Sequence, residues 1–586
     1  MSASPVPPAT PKSRLARLVP WTNGTDRSTV RADLISGTTL AAYAVPSSIA
    51  YAQLAGMPVQ TGLYCYLLAG IAYALFGTSR QLALGPTSSV ALTLATTLGA
   101  LAVADPSRYM ALAGAAALLT GCIALGAWAM RWGGIVHFVS ETVLTGFKIG
   151  AGIVIGVSQL PLLFGIPGTG RGFEGTLTNV VRNVDQAHAP SLLLGLVAYL
   201  LLLLGQWRRP VWPISLLVVI LAISVASLPG YDALRIASVG AIPAGLPSLH
   251  LPTFTWQDLD TLLLLAFACF LLAFNEGIAA ARLLATRHGY AIDPNRELLG
   301  LGAANVAIAF GQGFPSGGGL SQSLVNDQAG ARSPLSGVVC SLWMIVVLLW
   351  LTGLFVRLPQ PLLAALVLAS VIGMFRFDEL RQLWRIDASE FAIAALTIAA
   401  VLVLGILQGV LVAAVFSLAM LIRRLAAPEC VVLGRFPGTG AYAAFMRHPE
   451  VQAVPGVLIF RANAALLYFN ADGVQDRIRT FTGEHPSPLR AIILDLSFTT
   501  DIDLSTARML VEVACEAQAR GAVLRLAEAH YHVRAQLAHD RRAALFGDLS
   551  RSYSIGEWVA ALASAPGGSP VVDAADPNRS TSESSP

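Results

Sequence analysis

Apolar runs follow one another from Leu34 to Arg424, each ended by glycine, proline or charge. About twenty apolar residues suffice for a helix to cross a bilayer. The runs fall at 34–52, 61–77, 86–104, 109–131, 137–160, 190–207, 211–228, 258–284, 297–312, 319–331, 335–355, 360–375, 388–405 and 406–424, which predicts fourteen spanning segments. The polar stretch 166–190 reads as an external loop. Beyond Arg424 the period changes. VLIFR (457–461), RAIILDL (490–496) and VLRLA (523–527) are short runs rich in Val, Ile and Leu, separated by helix-like stretches such as STARMLVEVACEAQA (505–519). Strands alternating with helices predict a small α/β domain, too polar to span.

Two of the apolar runs are broken. LALGPTSSVAL (82–92) and GFPSGGGLSQS (313–323) each place glycine and proline ahead of small hydroxyl residues and then a helix-like run. In hydrocarbon every backbone N–H and C=O needs a partner, so irregular backbone survives only where protein buries it or a cavity receives it. Thr87, Ser88 and Ser89 fit the first turn of one helix, and Gly319, Ser321 and Ser323 the start of the other. A helix N-terminus carries roughly half a positive charge and several free N–H groups. Two such tips facing one another bind an anion without any basic side chain. They fall in the third and tenth of fourteen spans, the matching positions of two seven-span halves, which is the sequence mark of a transporter site. The competing explanation is that these glycines serve close helix packing.

Composition agrees with a membrane protein. The 586 residues are 55% hydrophobic and 12% charged, with a mean hydropathy of +0.64; soluble chains carry about a quarter charged residues. A net charge of +4 gives no nucleic-acid footprint. The six cysteines lack metal-type spacing and suggest no disulfide framework. No signal peptide precedes the first span, and residues 1–13 are rich in Pro, Ala and Ser. Placing the N-terminus inside puts Lys12, Arg14, Arg17, Arg80, Arg131, Arg208, Arg282, Arg376 and Arg423 in cytoplasmic positions, and leaves Arg108, Arg171, Arg182, Arg235 and Arg357 outside. That bias favours both termini in the cytoplasm of a cell that carries the protein in its plasma membrane. The expected domains are a cytoplasmic segment 1–29, a transport domain 30–425, an α/β domain 430–563 and a disordered tail 564–586. Neither a nucleophile–base constellation nor a phosphate-binding loop is present, so no enzyme, cofactor or ATP-driven pump is indicated.

At the broken helices the chain resembles the SulP anion permeases, bacterial relatives of the solute carrier 26 family. The resemblance runs through VPSSIAYAQLAGMPVQTGLY (45–64), YALFGTSRQLALGP (73–86), FNEGIAAARLLATRHGYAIDPNRELLGLGAAN (274–305) and GFPSGGGLSQSLVNDQAGARSPLSG (313–337). PGVLIFRANAALLYFNAD (455–472) and LDLSFTTDIDLSTA (494–507) resemble the STAS domain that closes such permeases. This implies two inverted repeats of seven segments, sorted into a core and a gate domain, commonly as a homodimer, with the anion held between the third and tenth segments and moved by an elevator-like shift. Carried over by position, the anion contacts are Ser47 and Tyr51, Thr87, and Leu320, Ser321 and Gln322, with Ser88 and Gly319 in the same two tips. The family often has Gln where this chain has Ser47, and many members have Arg where it has Gln322.

Glu276 lies deep in a span. A charge at the bilayer centre costs at least about 2.5–3.5 kcal/mol on insertion scales, so an acid there points to coupling. The resemblance also implies an acid here that couples proton or cation binding to the substrate; with Ala280 where sodium-coupled members carry a hydroxyl, protons are favoured. The alternative is a structural ion pair. Lys148 is the other charge well inside a span. Two helix tips supply about one positive charge, enough for a monovalent anion but not for a dianion. Lys148 either balances the difference or snorkels or pairs with Glu276 or Asp327. Asp327 and Arg332 read as loop structure at the cytoplasmic mouth, and His137, His530 and His532 lack ligand spacing. Ser505 stands where STAS relatives carry a phosphorylated serine, though helix capping suits it better. The function expected is secondary transport of a small anion: sulfate by family, with bicarbonate, chloride and dicarboxylates open. A membrane-anchored anion sensor acting on a cytoplasmic partner through the STAS-like domain is the alternative, and a nucleobase permease the third. Partners beyond the anion are membrane lipid and a second copy.

Overall fold

A computed structural model describes residues 26–101, 105–134, 141–168, 172–209, 212–485 and 488–564. The N-terminal segment up to residue 25, the tail beyond 564, Arg171 and His137 lie outside the described residues. The chain divides into two compact units between Leu418 and Ala419.

The first unit is helical. Its first half comprises α1 (Arg27–Leu54), α2 (Gln60–Phe76), the short strand β1 (Leu84–Gly85), α3 (Ser88–Leu101), α4 (Pro106–Ala129), α5 (Glu141–Phe164), α6 (Gly172–Arg182), α7 (Ala189–Arg208) and α8 (Ile214–Ala226). The second comprises α9 (Leu259–His288), α10 (Pro294–Phe310), the short strand β2 (Gly317–Gly318), α11 (Leu320–Gln328), α12 (Leu335–Val346), α13 (Gln360–Ile372), α14 (Phe377–Ile386), α15 (Ala388–Leu404) and α16 (Ile406–Ala426). Every predicted span contains one of these helices. Seven described helices are individually long and apolar enough to cross a membrane; the others are shorter or less apolar and depend on their neighbours. The stretch 166–190 needs correcting, because α6 is an amphipathic helix and not a loop. Asp105 and Asp293 cap α4 and α10, each followed by proline at the first helical position, where the missing N–H costs nothing.

The packing repeats between halves. α1 lies against α12 as α9 lies against α4, and α1 meets α11 as α9 meets α3. α2 packs on α12 as α10 packs on α4, and α7 packs on α13 as α15 packs on α5. The amphipathic inserts α6 and α14 follow the fifth and twelfth spans in turn. Two bundles result: α1 to α4 with α9 to α12, and α5, α7, α8, α13 and α15. They meet where α1 and α3 face α13, α8 and α5.

The second unit holds β3 (Cys430–Arg435), β4 (Tyr442–Ala444), β5 (Val457–Ala462), β6 (Ala491–Asp495) and β7 (Val523–Ala527), with α17 (Ala471–Gly483), α18 (Leu504–Ala519), α19 (Tyr531–Ala538) and α20 (Ile555–Ser564). The sheet order is β4-β3-β5-β6-β7, antiparallel in β4-β3-β5 and parallel in β5-β6-β7. β6 is buried throughout: Ile492 and Leu494 enter one core, Ala491 and Ile493 the other. A strand covered on both faces reads as an unbroken apolar run, as RAIILDL does.

Candidate functional site

β1 and β2 pair antiparallel, Leu84 opposite Gly318 and Gly85 opposite Gly317. Each strand runs straight into a helix, β1 into α3 and β2 into α11. The helices therefore leave the crossing in opposite directions with their N-termini side by side. The backbone near the crossing is satisfied by side chains. Ser323 Oγ accepts from the Ala83 N–H at 3.1 Å, and Gln322 Nε2 donates to the Ala83 C=O at 3.0 Å. The Asn305 carboxamide accepts from Ser316 N–H and donates to Ser316 C=O, both at 2.9 Å. The glycines are there for contact. A Cβ on Gly317 would sit 2.7 Å from Ala273 Cβ, and one on Gly318 would sit 2.9 Å from Gly277 Cα. α9 thus runs against β2 at the residues flanking Glu276.

The two tips differ in their caps. Thr87 opens α3, its carbonyl accepting from Ala91 N–H at 2.9 Å. Thr87 Oγ1 lies 3.3 Å from Ser89 Oγ, and Ser89 donates to Glu276 Oε1 at 2.7 Å. Gly319 precedes α11 in extended conformation with no side-chain cap. Leu320 is half-buried and Ser321 exposed at that open end. Ser88, half-buried, touches Met374 Sδ at 3.8 Å, just past α13.

Not every predicted contact is left available. Gln322 is buried, and its Oε1 accepts from the Tyr66 hydroxyl while its amide nitrogen is held at Ala83. Ser47 is buried and donates back into its own helix, to Tyr43 C=O at 2.8 Å. Tyr51 is buried with its hydroxyl in hydrogen-bonding reach of Ser370 on α13. Glu276 is half-buried and Ala280 buried one turn on. Lys148, half-buried on α5, makes no ion pair with Glu276 or Asp327; it acts on Glu276 only through space. Asp327 instead closes the ends of α9 and α11 together, 2.7 Å from Arg287 and 2.5 Å from His288. Arg332 Nη1 donates to Ser28 Oγ at 3.0 Å. His530 precedes α19 and His532 lies in its first turn.

The sequence did not single out the residues that hold this geometry. Tyr66 fixes Gln322. Asp33 accepts from the N–H groups of Arg332 at 2.7 Å and Ser333 at 3.1 Å, holding the chain that leaves α11. Glu297 accepts from Tyr73 at 2.7 Å, Thr78 N–H at 2.8 Å and Ser79 N–H at 3.1 Å, holding the chain that enters β1. An acid at the edge of an apolar run was the available signal in both cases. In the second unit, capping by Ser505 needs correcting. Asp503 caps α18, accepting from Thr506 N–H at 2.8 Å, while Ser505 is exposed in the first turn. Asp503 stands at the N-cap position itself, two residues before Ser505, and so its carboxylate is the group that meets the free Thr506 N–H.

Residues 30–397, more than half of the chain, match the Sulfate permease family, and residues 448–539 match the STAS domain. A probable sulfate transporter of Mycobacterium tuberculosis is 33% identical over 512 residues, 87% of this chain and 91% of its own. The chloroplastic sulfate transporter 4.1 of Arabidopsis thaliana is 31% identical over 535 residues, 88% of this chain and 77% of its own. In three dimensions, SLC26A9 superposes with a TM-score of 0.85 at 21% identity, covering 94% of this chain and 93% of its own. The transmembrane domain of a cyanobacterial bicarbonate transporter, BicA, gives 0.59 at 25% identity over 67% of this chain and 98% of its own.

Proposed function

The chain belongs to the sulfate permease family of anion transporters and ends in a STAS domain, and on that premise we propose that it is a secondary active transporter carrying sulfate between the tips of α3 and α11. The observation that carries this is the antiparallel β1–β2 pair, which sets two helix N-termini together at residues 84–89 and 317–321. Free N–H groups there bind the anion, with Ser88, Leu320 and exposed Ser321 at its edge, and Tyr51 and Ser47 behind it.

Two tips supply about one positive charge. Sulfate carries two negative charges, so a proton on Glu276, Lys148 on the facing bundle, or both complete the balance. The bundle containing α3 and α11 shifts against the bundle containing α5 and α13 in elevator fashion. The protein works as a homodimer in the plasma membrane with cytoplasmic termini, and the STAS domain, with Ser505 as its phosphorylation candidate, meets a cytoplasmic partner. Bicarbonate, borne by the name of a structural neighbour, is the competing substrate.

Purified protein in proteoliposomes accumulates labelled sulfate when a proton gradient is imposed, and bicarbonate, chloride and uracil in parallel vesicles set the selectivity. Ser321→Trp fills the open tip and abolishes uptake while the protein still elutes as the folded species. Undiminished uptake by that variant refutes the site.

A further inference from the structure

Glu276 and the tip of α3 share two hydroxyls, and a hydroxyl has one proton to donate. Ser89 gives its proton to Glu276 Oε1 at 2.7 Å. Thr87 Oγ1, 3.3 Å from Ser89 Oγ, belongs to the residue that opens α3 beside the crossing. We propose that Glu276, Ser89 and Thr87 form a hydroxyl relay whose direction reverses when Glu276 gains a proton, so that proton binding tightens anion binding without Glu276 touching the anion. The proposal deepens the transport function above and rests on that anion site.

An ionised carboxylate only accepts, whereas a protonated carboxyl also donates. With Glu276 ionised, Ser89 donates to it, the Ser89 oxygen accepts from Thr87, and Thr87 turns lone pairs towards the pocket. Lone pairs repel an anion. With Glu276 protonated, its O–H donates to Ser89, Ser89 donates to Thr87, and the Thr87 proton is released to the anion. One proton from water binds the Glu276 carboxylate and leaves with the substrate; the relay protons only rotate, and no other bond is made or broken.

Other charged groups on the packed elements leave the relay in place. Lys148 of α5 and Tyr51 of α1 act on Glu276 through space. Glu297 of α10 is engaged by Tyr73, Thr78 and Ser79, and Asp327 of α11 by Arg287 and His288. Arg108, at the start of α4, pairs with Asp258 at 2.9 Å.

Calorimetric titration of the full-length protein with sulfate, at one acidic and one alkaline pH, tests the relay, with bicarbonate and chloride run alongside. The wild type binds about five- to tenfold more tightly in acid, the worth of one redirected hydrogen bond. Ser89→Ala removes the oxygen that draws the Thr87 proton away from the pocket, so it loses the pH dependence and binds at the tight level at both pH values. Glu276→Gln is never ionised and offers Ser89 an N–H donor at every pH, so it also binds at the tight level in acid and alkali. Ser89→Thr restores the hydroxyl and the pH dependence, which a packing defect at Ser89→Ala would not explain. A Ser89→Ala protein with the wild-type ratio, or a Glu276→Gln protein fixed at the weak level, overturns the relay. Wild-type binding that ignores pH overturns the relay and leaves the anion site standing. No binding of any of the three anions by the wild type overturns both.

Discussion

Ala83 presents an N–H and a C=O inside an apolar bundle, and both are met by side chains one turn into α11: Ser323 and Gln322. That makes Gln322 a fastening for the crossing. Gln322→Ala takes the Gln322 donor from the Ala83 carbonyl and the Gln322 acceptor from the Tyr66 hydroxyl, at a cost of about 1–3 kcal/mol for a buried group left short of a hydrogen bond. A lower thermal unfolding midpoint than that of Ser321→Ala checks this, since Ser321 is exposed. Position along the helix was legible in the sequence, but the assignment of Gln322 to the anion came only from resemblance. Spacing tells which helix face a residue occupies and nothing about which distant carbonyl lacks a donor. The same limit explains Asp503. Burial works against its ionised form, yet the N–H groups of Thr506 and Tyr468 hold its carboxyl below the usual range. Because the folded-state value is the depressed one, the cap stabilises above the unfolded carboxylate's pKa and loses that contribution as pH falls through the folded value. Asp503→Ala costs about 1 kcal/mol at neutral pH. Melting curves of the two proteins that converge in acid verify the sign.

Elements show where backbone physics outruns pattern. The interruptions at LALGPTSSVAL and GFPSGGGLSQS were visible because glycine, proline and serine stand out against apolar runs. Their mutual pairing was not, since strands of two residues carry no period. α6 and α14 were missed for a related reason: short amphipathic helices between spans look like polar loops to a window long enough to find a span. At the crossing, Gly318 is the tightest test of the shape. Gly318→Val puts its branches into Gly277 Cα and Leu82, whose atoms lie 2.9 and 3.0 Å from an added Cβ. Sulfate uptake and sulfate-dependent thermal stabilisation should both vanish in this variant, because the two tips are driven apart. Retention of either shows that the strands tolerate separation.

The whole molecule combines a helical unit of two bundles with an α/β unit. The division between those two units was legible from hydropathy and strand pattern, while the sorting into bundles came only with the resemblance. The arrangement of helices in the bundles was not legible, because apolar faces in lipid do not announce their partners. Relative motion of the bundles is tested where they touch. Ser88 of α3 and Met374 beyond α13 lie 3.8 Å apart, hydroxyl to sulfur. Ser88→Cys with Met374→Cys, oxidised to a disulfide, stops sulfate uptake and recovers it on reduction, whereas Ser88→Cys alone is insensitive to oxidant. Continued uptake by the oxidised pair excludes sliding at this contact. The two-residue sheet sets one more property of the molecule. Each half contributes a single strand to it, so an architecture built twice over makes a solitary cup. Saturation binding should therefore plateau at one sulfate per polypeptide, and neither half expressed by itself should retain any.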